Sequence, residues 1–346
     1  MHEILPRIFI EHIDPRAGGL KDIAIAIVKG DDRSLLIDAG MSEKATREYS
    51  VALRRMLSDL SIPPEKLDCF VTHAHSDHLG MCVPLAKSGA RIIMNPQELD
   101  HRKDLLYYSS ESEVISGELF DRIGLGNSDW PDGPRIMTEW LLTKYRTYTG
   151  LLDFVFLPAR AGSVFTYGNY TFTAVDLKGH TFGQLGLWEK EKNFLFSGDQ
   201  VVHGLTPIVG DWSGETDLLA LYLDSLESVL EKYAGTLLFP GHGEAITDLK
   251  AEVAAIRRSY GRKLQTIRVV LARSGMALTV CDIAQALYGR QIRDLMLTDP
   301  QSLFHIWHKM NACLVYLRGK GAVQEEMVGR SECWTVGTED AACLIS

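Results

Sequence analysis

His73-Ala74-His75-Ser76-Asp77-His78 follows directly on the apolar, strand-like run 67–72. Three imidazoles and a carboxylate this close together read as a metal site. His73 and His75 alternate as on an extended chain, so both can face one ion. Asp77 and His78 lie past the expected turn and can face a second position. Imidazole with carboxylate suits zinc, iron or manganese, and catalytic sites of this kind leave a position open for water. A polar loop after a strand is the plainer alternative. It leaves four packed ligand-type side chains hard to satisfy.

Working outward, three lone ligand-type residues stand at strand ends beside glycine. Gly179-His180-Thr181 follows the strand-like run 170–177. Ser197-Gly198-Asp199 closes the run 193–196, and Gly241-His242-Gly243 closes the run 236–239. Glycine lets the chain turn sharply, so a strand-end side chain can point into a shared cleft. Each of these alone is an ordinary turn residue. In this order behind residues 73–78 they make one pattern.

That pattern resembles the metallo-β-lactamase superfamily, the αββα metallohydrolases, and the likeness runs over residues 5–245. Periodicity alone leaves the fold as α/β or α+β. The resemblance implies a four-layer αββα sandwich. It also implies that His73, His75 and His180 hold one metal, that Asp77, His78 and His242 hold a second, and that Asp199 bridges them. Asp38, in Leu35-Leu36-Ile37-Asp38-Ala39-Gly40, matches the family's aspartate beneath the metal loop. It is expected to accept a ligand imidazole's spare N–H; the alternative is an ordinary strand-to-helix turn residue.

The implied cofactors are two divalent ions, zinc foremost, with iron or manganese as alternatives. The implied chemistry is hydrolysis by a hydroxide that the ion pair generates near neutral pH, with Asp77 or Asp199 taking the proton. A small thioester, lactone or ester is the expected substrate. Three other readings stand beside it: a nuclease or phosphodiesterase acting on nucleic acid, an iron-dependent persulfide dioxygenase-like redox enzyme, and a ligand-binding relative that kept the metals.

Composition agrees with a globular enzyme. The 346 residues suffice for one large domain and a smaller one. An apolar share of 46% and a charged share of 23% are ordinary. No apolar run is long enough to suggest a membrane span, and the first residues lack a secretory signal pattern. Six cysteines form no Cys-x-x-Cys pair and read as reduced core residues of a cytoplasmic protein. A net charge of −9 argues against bulk attraction to nucleic acid or anionic membrane.

The chain is expected to divide into a catalytic domain, 1–247, and a tail, 248–346. Residues 4–40 read as a β-meander with a hairpin turn at 29–33. Residues 43–60 carry helical apolar spacing that Pro63-Pro64 stops. A short helix is expected over 79–89, a strand over 91–94, and a helix after Asn95-Pro96. The runs 163–167 and 170–175 should pair across Gly168-Asn169. Residues 217–233 form an amphipathic helix with Thr216 or Ser213 as its cap.

Residues 97–150 lengthen the gap between His78 and His180 and are rich in aromatics. They are read as a helical cap that forms a substrate pocket, with Trp130 and Tyr145 on its wall. The alternative is an insertion that packs elsewhere or mediates dimerisation. His203, near Asp199, is a further pocket candidate, against a plain surface histidine. In the tail, a basic helix, two more helices and a hairpin resemble the winged-helix-like appendage of one branch of the family. Residues 248–346 hold 13 Lys and Arg against 10 Asp and Glu, +3, while the remainder carries −12. A nucleic-acid face usually carries a denser basic stripe. The tail is therefore expected to complete a wall of the pocket or a homodimer contact, with a small molecule as the partner of the site.

Overall fold

Seven short aliphatic runs pair into one sheet: β1 (His2–Leu5), β2 (Ile8–Ile13), β3 (Ile23–Val28), β4 (Ser34–Ile37), β5 (Leu67–Val71), β6 (Arg91–Met94) and β7 (Phe156–Pro158), in that spatial order. The structure is a computed structural model and describes residues 1–14, 22–100, 112–127, 131–148, 150–210 and 216–337. β1 to β4 run antiparallel, and β4 to β7 run parallel. Parallel neighbours need a crossover. α1 (Glu48–Asp59) supplies it between β4 and β5, and α2 (Ser76–Leu79) with α3 (Cys82–Lys87) between β5 and β6. A longer stretch with α4 (Gln97–Asp100), α5 (Ser112–Arg122) and α6 (Gly133–Tyr148) joins β6 to β7.

The second sheet holds β8 (Val164–Tyr167), β9 (Tyr170–Asp176), β10 (Leu185–Glu189), β11 (Phe194–Gly198) and β12 (Leu237–Pro240), in the order β12-β11-β10-β9-β8. Only β11 and β12 are parallel here, joined through α7 (Leu218–Tyr233). Side chains alternate across a strand. Ala26, Val28, Leu35 and Ile37 of the first sheet therefore share one buried cluster with Phe172, Ala174, Leu185, Leu187, Phe194 and Phe196 of the second. Trp188 points the other way, and its ring meets Tyr233 of α7 at 5.3 Å. On the far side α1 buries Tyr49, Ala52, Leu53 and Met56. The layers run helix, sheet, sheet, helix, as expected.

Contacts divide the chain into two compact units. One comprises Met1–Arg102, Thr147–Pro207 and Asp224–Val253 and holds both sheets. The other comprises Lys103–Arg146, Ile208–Leu223 and Ala254–Ser346. It contains α5, α6 and most of α8 (Leu249–Ser274), followed by α9 (Val280–Tyr288), α10 (Arg290–Thr298), α11 (Pro300–Gly319) and the hairpin β13 (Val323–Val328) and β14 (Ser331–Val336). Within it, the segment before β7 docks on C-terminal elements. Cys281 N donates to Ile123 O at 3.0 Å, Ser331 Oγ donates to Asp121 O at 2.7 Å, and Trp140 meets Phe304 at 5.4 Å.

Three local readings change. The helix expected over 79–89 is two helices, and the first begins at Ser76, so Asp77 and His78 sit in the first turn of α2. An acidic side chain suits that position because the helix N-terminus carries partial positive charge. The cap of α7 is Asp217, whose Oδ1 accepts Ala220 N at 2.9 Å; Ser213 lies outside the described residues. α10 is an addition, built on Ile292 and Met296 buried one turn apart. Thr279 and Asp282 form a reciprocal capping box on α9. Trp130 and the side chain of Tyr145 lie outside the described residues. Among the described residues, no helix is long and apolar enough to cross a membrane.

Candidate metal centre

Every ligand-type residue named from the pattern lies beyond the C-terminal end of a strand of the two-sheet unit. β4 delivers Asp38, β5 delivers His73 to His78, and β9, β11 and β12 deliver His180, Asp199 and His242. β5 is buried along its whole length, as a central strand covered on both faces must be. The chain then turns outward at Thr72, and the polar residues cluster there.

The structure brings all seven together in three overlapping groups: His73, His75 and His180; His73, His78 and Asp199; Asp77, His78 and His242. In the first group His75 Nδ1 lies 3.0 Å from His73 Nε2 and 3.1 Å from His180 Nε2. In the other two, His78 Nε2 stands 3.5 Å from Asp199 Oδ1. His242 Nε2 stands 3.4 Å from both Asp77 Oδ2 and Asp199 Oδ2. Asp199 Oδ2 is also 3.7 Å from His180 Nε2, so Asp199 faces both halves.

Hydrogen bonds behind the ring set the tautomers. Asp38 Oδ2 accepts from His78 Nδ1 at 2.8 Å and from Thr72 Oγ1 at 2.9 Å. Because the Thr72 hydroxyl donates to Asp38, it accepts from His73 Nδ1, 3.0 Å away. His242 Nδ1 donates to Asp22 O at 2.6 Å. Each arrangement places the ring's Nδ1–H on an acceptor outside the cluster and turns Nε2 into it, the orientation a metal ligand requires. Asp38 is held for this task in the left-handed region, at φ 60°. Its Oδ1 accepts Thr72 N and its own N donates to Phe70 O. Aspartate tolerates that conformation better than most residues. Gln184, fully buried, accepts Asp199 N through Oε1 at 3.2 Å.

Backbone closeness completes the cradle. A Cβ on Gly241 would lie 2.6 Å from His78 Cε1 and 2.8 Å from Asp199 Oδ1. Gly198 turns at φ 52°, where a Cβ would meet Thr72 Oγ1 at 2.8 Å.

The electrostatics differ between the halves. Burial pushes the pKa of His73 and His75 down, and burial with the neighbouring His75 pushes that of His180 down to about 3. Burial thus favours the neutral form of all three rings. Burial also opposes charge on His78, but Asp199, Asp38 and Asp77 outweigh it and push its pKa up to about 10. His242 is raised in the same way, against its burial, by Asp199 and Asp77. Asp199 and Asp77 are held below the carboxylate range: the adjacent His78 and His242 overcome the cost of burial.

The residues fit divalent ions. His78 Nε2, His242 Nε2 and Asp199 Oδ1 are buried and make no well-formed hydrogen bond; the two imidazole nitrogens meet Asp199 and Asp77 only in ion pairs of 3.4–3.5 Å. A buried polar atom left unpaired costs roughly 1–3 kcal/mol. Three in one place call for a cation between them, and nitrogen with carboxylate oxygen is a set that first-row divalent metals accept.

His203 does not join the cluster. Its side chain is 59% exposed and its Nδ1 pairs with Glu252 Oε1 at 2.7 Å. Its Cβ does lie 3.9 Å from where a Cβ on Gly243 would stand, beside His242. Thr72, Asp22, Gln184 and Glu98 escaped the sequence reading. Thr72 directly precedes the first histidine and Gln184 lies shortly after His180, so proximity is a usable signal for those two. Nothing local marks Asp22 or Glu98.

Residues 19–242 match the sequence model of the metallo-beta-lactamase superfamily. An atrochrysone carboxyl ACP thioesterase of Aspergillus terreus is 25% identical over 190 residues, covering 52% of this chain and 55% of that protein. The acyl-coenzyme A thioesterase MBLAC2 of Gallus gallus is 25% identical over 188 residues, covering 52% and 58%. The chain thus spans about half the length of these curated relatives. A solved metallo-beta-lactamase family protein from Thermus thermophilus shares the fold, with a TM-score of 0.77 at 20% identity over 96% of this chain and 100% of that one. The family's span takes in the ligand-type residues from His73 to His242, and the strands that deliver them have the family's layering. The chain belongs to the metallo-beta-lactamase superfamily.

Proposed function

We propose that this chain is a metal-dependent hydrolase of a small acyl thioester, lactone or related ester. The observation that carries the reading is the pair of facing His/Asp groups with unpaired buried atoms between them. His73, His75 and His180 are the ligands of one ion, Asp77, His78 and His242 of a second, and Asp199 serves both. Two relatives with thioesterase names support an acyl substrate. Zinc is the metal we favour.

Divalent ions bound there supply Lewis acidity, polarising the substrate's carbonyl oxygen and acidifying water. The chain's own residues do the rest. Thr72 and Asp38 keep the His73 and His78 rings turned so that their Nε2 atoms face inward. Gln184 and the β11 backbone fix Asp199. Asp199 and Asp77 are ionised and acceptor-only, so either can take the proton of the attacking water and pass it to the departing sulfur or oxygen. In balance, water oxygen bonds to the acyl carbon, the carbon–sulfur or carbon–oxygen bond breaks, and the leaving group departs protonated.

The test is a substrate panel on the purified chain: acyl thioesters, lactones, phosphodiesters, single-stranded RNA and a persulfide. Acyl hydrolysis that a chelator abolishes is the expected result. Cleavage of RNA or phosphodiesters without acyl hydrolysis, or oxygen uptake with the persulfide, would replace this reading.

A further inference from the structure

Glu98 is not a ligand-type member of the cluster, yet its side chain is only 5% exposed. It lies on α4, just past the end of β6. Its Oε2 accepts Ala74 N at 2.7 Å. Its Oε1 accepts Thr181 Oγ1 and Gly183 N, both at 2.7 Å. Ala74 stands between His73 and His75, and Thr181 follows His180. One carboxylate therefore joins the two loops that carry His73, His75 and His180. Asn95, from the same stretch of chain, adds a second tie by donating to Gly183 O at 2.7 Å.

The other half is held by different groups. Asp38 holds His78 and Asp22 holds His242, through the bonds given above. Asp22 Oδ1 also accepts Gly243 N at 2.9 Å. The three bonds of Glu98 go to Ala74, between His73 and His75, and to Thr181 and Gly183 on the loop that follows His180. The ties of Glu98 thus fall on the three-histidine half alone, whereas Asp38 reaches both halves, His78 directly and His73 through Thr72.

Burying a carboxylate is costly unless donors surround it. Glu98 has three, and the two backbone N–H groups can only donate. An amide in its place would set an NH2 against a donor on one side. A carboxylate is the group that satisfies all of them at once. We propose that Glu98 is the positioning residue of the three-histidine half: it fixes the spacing of His73 and His75 against His180, and so sets the metal affinity of that half alone. The inference rests on the two-ion reading of the site.

The experiment separates the halves on the full chain. Asp77→Ala leaves the three histidines complete, and His75→Ala leaves the Asp77, His78 and His242 set complete. Zinc affinity of each is measured by competition with a chromophoric chelator, with and without Glu98→Gln. Loss of an outer-shell hydrogen bond typically weakens metal binding about 10–100-fold, and that loss is expected in the Asp77→Ala chain. In the His75→Ala chain Glu98→Gln should leave zinc affinity unchanged. Thr181→Val removes one donor and should produce a smaller loss in the same half; it carries the test if Glu98→Gln does not fold. Equal weakening in both backgrounds would mean a general structural role and overturn the proposal, as would no weakening in either. If neither single-half chain binds zinc before Glu98 is touched, the two-ion reading itself fails.

Discussion

His78 donates through Nδ1 to Asp38 Oδ2 at 2.8 Å, and both side chains are almost fully buried. The same oxygen accepts the Thr72 hydroxyl, which in turn accepts from His73. One carboxylate thus orients a ring in each half of the site. Asp38→Asn places an amide NH2 where an acceptor is needed on one side. It favours the wrong tautomer at His78, with N–H rather than a lone pair at Nε2. Zinc affinity should fall about 10–100-fold with the fold retained. Chelator competition measures it, and an unchanged affinity would remove Asp38 from this role.

On the two-ion reading, Asp77→Ala should leave a single ion. Asp77 Oδ2 faces His242 Nε2 in the half that also contains His78. The three-histidine half is untouched, so the first ion stays. Elemental analysis of the variant checks this, with circular dichroism to confirm the fold. Full occupancy of two ions, or unaltered turnover, would refute the assignment.

Gly241→Ala tests the closeness of backbone and ligands. The added methyl would meet His78 Cε1 at 2.6 Å and Asp199 Oδ1 at 2.8 Å. Neither group can retreat far in a packed site, and such overpacking typically costs about 1–3 kcal/mol. The expected outcome is a modest drop in melting temperature with loss of the ion that His78 serves. Retention of both ions at wild-type affinity would show that the cradle has slack.

Asp68 offers a stability test away from the site. It is buried beneath Arg33, Arg91 and Tyr167, which donate to its oxygens. Burial opposes its charge, but the bonds from Arg91, Tyr167 and Arg33 hold its pKa below the ordinary 3.8. A carboxylate whose folded pKa is depressed contributes fully above its unfolded value and loses that contribution as pH falls through the folded one. Asp68→Asn should therefore destabilise at pH 7. The cost is about 3 kcal/mol, the low end for a broken buried pair because Arg91 is half exposed. The gap to wild type should narrow as the pH drops below 3.8. Thermal melts across pH decide it; a gap that widens in acid would contradict the sign.

The ligand-type residues were legible because the chemistry is written locally. Four of them lie within residues 73–78, and the other three each end a strand beside glycine. Their supports were not, because each reaches across the chain. Glu98 bonds to Ala74 and Gly183, and Asp22 bonds to His242, and no periodicity encodes those separations. The strand runs 67–72 and 91–94 were readable from their mostly apolar character, interrupted only by Asp68, Thr72 and Arg91. Helix starts were less so. α2 begins inside the metal motif, where ligand chemistry hides the helical signal, and Asp217 caps α7 from a position that fits a helical interior equally well. α10 is short and bounded by Gly289 and Asp299, and of its apolar residues Ile292, Leu295, Met296 and Leu297 only Ile292 and Met296 are buried.

The most direct measurement is metal content against acyl-thioester hydrolysis on one preparation, before and after chelation. Two divalent ions per chain are expected, as two-metal sites require. Stripping them should abolish hydrolysis, and adding zinc back should restore both together. A chain that holds at most one ion when metal is plentiful, or that hydrolyses thioesters equally well when stripped, would contradict a dinuclear hydrolase.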